Sequence, residues 1–183
     1  MRQTSWLAWL VLLMCFLAQY SPAQHRDPLN EKEIDEMREA ADYPDKRLSL
    51  MVSFSRARMA SIEQQRADPT SAKDRPMQIH DLLQDFATLL DEIDDNIDMY
   101  GSHKTDMRKG LKLVIEADNE WQLRLRKLKE QSPPEELDQY SFVLTNAIEA
   151  VKDTGDSARK ELQDQNELAK SKKLNPVYSE RTD

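Results

Sequence analysis

The chain has 183 residues, with 26 Lys+Arg against 34 Asp+Glu, a formal net charge of -8, 3 Gly and 1 Cys. Three glycines are too few for a sandwich, a barrel or a phosphate-loop enzyme, which need Gly-rich turns, and one cysteine cannot make an internal disulfide or a cysteine-based zinc site. The acidic balance argues against nucleic acid as the main partner, because affinity there comes from Lys and Arg neutralising phosphates.

The first segment reads as an address. Arg2 is the only charged side chain before His25, and Trp6–Ala18 is an uncharged, mostly apolar run of 13 residues. That length suits a signal-peptide core and falls short of the roughly 20 residues of a membrane-spanning helix. Ser21 and Ala23 are small residues placed for cleavage after Ala23. Residues 1–23 are therefore expected to be a signal peptide and the product to be secreted or periplasmic. No integral membrane span is expected after cleavage. Cys15, Trp6 and Trp9 would leave with the signal, so the mature chain would hold together by packing alone.

Residues 24–29 are expected to be a disordered N-terminus, 30–173 a helical bundle domain and 174–183 a flexible C-terminal tail. Asn30–Glu33 has the pattern of a capping box opening a short helix to about Asp42. Pro44 then kinks or breaks the chain, and a second helical stretch covers about 46–67. Asp68–Arg75 is a polar loop. From about Pro76 to Tyr100 the apolar positions Ile79, Leu83, Phe86, Leu90, Ile93, Ile97 and Tyr100 recur at alternating gaps of 4 and 3, the seam of a coiled-coil-like helix. Gly101 is the expected left-handed stop.

The next helix, about 102–131, repeats the pattern with Met107, Leu111, Val114, Asp118, Trp121, Leu125 and Leu128. Asp118 breaks it. The expectation is that Ala117 or Ile115 fills that layer and Asp118 turns to the rim, since an unpaired buried charge is costly. Ser132 and Glu135 form a capping box around two prolines, and the last helix runs to about Lys173 on Leu137, Tyr140, Leu144, Ala147 and Val151.

These periodicities predict an all-α fold: an up-down antiparallel four-helix bundle with long outer helices and a kink or break near Pro44. Pro44 and Gly155 fall level with the Gly101 turn, which favours a joint and a two-helix extension over a fold-back of the first helix. Helix 76–100 carries Asp81, Asp85, Asp91, Glu92, Asp94, Asp95 and Asp98, and the next carries Lys104, Arg108, Lys109, Lys112, Arg124, Arg126, Lys127 and Lys129. Folded about Gly101, Asp94 and Asp98 are expected to face Lys104–Arg108, with Asp91 near Lys112. At the next turn, Lys127 and Lys129 are expected near Glu135, Glu136 and Asp138.

No site chemistry emerges. Asp91–Asp98 lacks the glycine and loop character of a calcium site and reads as a solvated face. His25, His80 and His103 have no metal-ligand spacing, and no serine lies in a nucleophile elbow. No catalytic, cofactor-binding or metal residue is therefore assigned, and no cofactor. The expectation is a non-enzymatic, exported bundle acting in protein–protein interaction or envelope structure. Its partner would be another protein or a second copy, met through helix faces. The alternative is a small-ligand or lipid carrier binding between helices. Peripheral lipid contact through Arg124–Lys129 is compatible with either.

Overall fold

The computed structural model describes residues 27–171. The expected signal peptide, 1–23, and tail, 174–183, lie outside them. The described residues form α1 (Glu31–Glu39), α2 (Pro44–Ala67), α3 (Arg75–Ser102), α4 (Arg108–Gln131) and α5 (Pro134–Lys170), with a 3-10 turn at Pro69–Ser71 and no strand. The all-α expectation is met.

Local chemistry sets the helix starts. At α1 the Asn30 side chain accepts from Glu33 N–H at 3.0 Å, and the Glu33 carboxylate accepts from Asn30 N–H at 3.0 Å. Prolines begin α2, α3 and α5, where the absent N–H removes no helical bond. The Ser132 cap does not form: its hydroxyl donates to Leu128 O at 2.6 Å, and Pro133 is the boundary residue.

The stop after α3 also differs from expectation. Gly101 is helical, and Lys104 takes the left-handed conformation with φ 55°. Lys104 N–H donates to Gly101 O at 2.9 Å and Thr105 N–H to Tyr100 O at 3.0 Å, the paired bonds of a Schellman ending. α4 consequently starts at Arg108, later than the sequence indicated. Gly101 serves packing instead: a Cβ there would stand 2.9 Å from the Glu161 carboxyl group of α5.

The seams form one core. Ile79, Leu83, Phe86, Leu90 and Ile93 from α3 are fully buried, as are Leu111, Val114, Trp121 and Leu125 from α4. The Phe86 and Trp121 rings meet edge to face, with centroids 5.5 Å apart and an interplanar angle of 85°.

Helix order is where short links mislead. α2 packs against α3 and α4, and α5 packs against α3 and α4. Named contacts give the directions. Arg47 reaches Asn96 while Arg75 reaches Gln65, so α2 and α3 are antiparallel. Asp45 reaches Gly110 and Arg56 reaches Glu120, so α2 and α4 run parallel. Consecutive helices α3 and α4 thus face each other across the core through Phe86 and Trp121 instead of lying side by side. The pairing of Asp94 and Asp98 with Lys104–Arg108, and of Asp91 with Lys112, is overturned. Arg108 turns to Asp106 at 2.7 Å instead. Lys127 and Lys129 do not pair with the acids after the turn; Glu136 receives Arg75 at 3.0 Å.

The two-helix extension is also overturned. The chain breaks at 40–43, immediately before Pro44, and α1 turns back along α2. The Arg58 guanidinium holds the Glu33 carboxylate through both nitrogens, at 2.7 and 2.6 Å, and donates to Pro28 O. Arg47 donates to Met37 O at 3.2 Å. Residues 27–29, expected to be disordered, are tied down by this contact, and Leu29 packs against the core. Gly155 is no joint: α5 runs unbroken through it, and it is buried.

Candidate functional site

The acidic stretch of α3 splits by face. Ile93 and Ile97 point into the core, Asn96 is buried, and Asp91, Asp95 and Asp98 are exposed on one line. Desolvation pushes the Asp91 carboxyl group above the usual carboxylate range, and the charges of Asp95 and Asp94 push it further.

The basic stretch of α4 divides differently. Arg124 is committed to Glu120 at 2.9 Å and Glu63 at 3.5 Å. Arg126, Lys127 and Lys129 are exposed. Arg126 and Lys129 rim an outward groove of about 350 Å³ between α4 and α5, with Ile148 and Val151 in its lining. A groove of about 370 Å³ lies between α2 and α4, and one of about 390 Å³ lies under Pro28, Leu29 and Met37.

Asp118 is fully buried, contrary to the rim expectation. Three residues make that tolerable. Gly155 on α5 has no side chain where the carboxylate sits, since a Cβ there would lie 2.6 Å from Asp118 Cγ. Gln122, one turn along α4, donates to Asp118 Oδ1 at 2.8 Å. Arg159, one turn beyond Gly155, donates to Asp118 Oδ2 while 40% of its side chain stays exposed. The charge is buried but paired, and its partner keeps water contact, which lowers the desolvation penalty. A polar residue in the seam, facing a Gly followed four residues later by Arg, is the pattern that the sequence carried.

Gln165, fully buried, is a polar residue that the sequence did not single out. Its amide accepts from Met107 N–H at 3.0 Å and donates to Thr105 O at 2.9 Å and to Glu161 Oε1 at 2.8 Å. It locks the link between α3 and α4. Desolvation raises the Glu161 pKa, the Gln165 bond partly offsets this, and Asp164 and Asp98 add to the rise. At the other strap, burial raises Glu33, but Arg58 and the Asn30 N–H outweigh it and hold the carboxyl group below its ordinary value.

These clusters orient helices, and none brings a nucleophile, base and acceptor site together. His25 lies outside the described residues. His80 sits beside Asp81 at 3.2 Å, and His103 Nδ1 lies 2.7 Å from Met99 O, at opposite ends of α3. Among the described residues no group of His, Cys, Asp and Glu is placed to hold a metal ion, and no helix is long and apolar enough to cross a membrane. No family model, curated protein or solved structure matches this chain.

Proposed function

We propose that this chain is an exported, non-enzymatic bundle of four helices that alternate up and down along the chain, clasped by α1, that works through protein–protein contact. The observation that supports it is the division between interior and surface. The centre is filled by Phe86, Trp121 and aliphatic side chains, whereas the concave features open outward between helices. Leu123 and Phe142 project to solvent at 66% and 79% exposure. The apolar run Trp6–Ala18 supports export, and N-terminal sequencing of the protein from its host should begin at Gln24.

Native mass spectrometry of the protein purified from that host tests the reading. A reproducible protein partner, lost on Leu123→Asp or Phe142→Asp, supports it. A retained lipid or chromophore overturns it in favour of a carrier. The α4–α5 groove, with its Ile148–Val151 lining and cationic rim, is the place such a ligand would occupy.

A further inference from the structure

The unlike charges of α3 and α4 stay unspent within one chain. Because the two helices lie across the core from each other, Asp91, Asp95 and Asp98 face away from Arg126, Lys127 and Lys129. None of these six takes part in an ion pair among the described residues. The α4–α5 groove is the more specific of the two faces. Its lining combines Ile148 and Val151 with Arg126, Lys129 and Lys152 against one carboxylate, Glu149. Among the described residues Lys152 pairs with the exposed Asp156, at 3.3 Å, and with Asp153.

The acidic face of α3 has the matching chemistry. Met99, 45% exposed, follows Asp95 by one helical turn and adjoins Asp98. It offers an apolar anchor flanked by carboxylates, where the groove offers an apolar lining flanked by cations.

We propose that the α4–α5 groove binds the α3 acidic face of a second copy of this chain, with Met99 against Ile148 and with Asp95 and Asp98 against Lys129 and Lys152. This rests on the protein-contact reading above and adds to it a contact surface apart from Leu123 and Phe142. The two faces belong to different sides of the molecule, so a single two-fold pair cannot engage both at once. The contact is heterologous and propagates from copy to copy. Its exposed charges make it sensitive to ionic strength.

Sedimentation velocity of the protein as processed by its host is the test, with samples at about 100 μM in about 50 mM and about 500 mM salt, a span over which surface charge is strongly screened. Association is expected in low salt, weakened about tenfold or more in high salt. Lys129→Glu with Lys152→Glu, and separately Asp95→Lys with Asp98→Lys, should each give a monomer. An equimolar mixture of the two should associate again, because every reversed face then meets its complement. Circular dichroism checks that both variants fold, and Lys129→Gln with Lys152→Gln is the milder substitute.

A wild-type chain that is monomeric in low salt overturns the proposal, as does failure of the mixture to associate. A monomer with a host protein held at Lys129 and Lys152 would overturn the second-copy assignment alone. A monomer that instead binds phosphatidylglycerol vesicles through those lysines would overturn the protein-contact reading too.

Discussion

The carboxylate of Asp118 fills the space in which a side chain at position 155 would stand, so Gly155 and Asp118 form one packing unit across α4 and α5. Gly155→Ala gains about 1 kcal/mol of helix propensity but must displace a buried, ion-paired group, and overpacking costs about 1–3 kcal/mol. A net loss of stability is expected in urea unfolding. Asp118→Ala combined with Gly155→Ala should cost less than the sum of the two single changes, because the clash needs both partners. Strict additivity would mean that the two residues do not share the space.

The α1 strap should open in acid. Arg58 and the Asn30 N–H hold the Glu33 carboxyl group below its ordinary value. Its stabilising contribution is therefore fully present above that ordinary value and is lost as pH falls through the lower, folded one. Limited proteolysis at 40–43 should accelerate over that descent. Arg58→Ala should open the strap already at neutral pH, at a cost of about 2 kcal/mol for lost bonds to a charged group. A protease pattern unchanged by either would show that α1 is held by other contacts.

Glu161 has the opposite sign. Desolvation and neighbouring carboxylates raise its pKa, so the folded state prefers it protonated. Its penalty is fully present above the raised value and disappears as pH falls below the ordinary Glu value. Glu161→Gln keeps a side-chain oxygen for Gln165 and removes the charge. It should raise the melting temperature at pH 7 and lose that advantage in acid; a pH-independent effect would point to packing alone.

Gln165→Ala strips partners from Met107 N–H and Thr105 O. Leaving such groups unsatisfied costs about 1–3 kcal/mol each. Hydrogen exchange should then quicken at Met107 while the N–H groups at the middle of α5 stay protected. Equal loss of protection at both would place Gln165 in global stability and not in the link.

Trp121→Ala and Phe86→Ala should each cost about 3–5 kcal/mol as core truncations. The rings touch, so the double variant should cost less than the sum. The Trp121 indole N–H is buried without a partner among the described residues, so Trp121→Phe should be far milder than Trp121→Ala. Equal losses for both replacements would assign the cost to the indole itself.

Much of the architecture was legible in the sequence. The alternating spacing from Ile79 to Ile97 and from Met107 to Leu128 determined two helices and their buried faces, because a helix shows the same side every three to four residues. The Asn30–Glu33 box and the prolines marked starts, because those signals act within a single turn.

What only the tertiary structure decided is which helices are neighbours. A five-residue link permits α4 to stand beside α3 or across from it, and local charge adds too little per exposed pair to choose. The choice comes from burial of all the seams together. Once α3 and α4 stand on opposite corners, their charges cannot neutralise each other. Asp118 enters the core because Gly155 and Arg159, well along the next helix, give it space and a counter-charge. Gly101 likewise meets the Glu161 carboxyl group, sixty residues further along the chain, a contact that no local signal marks.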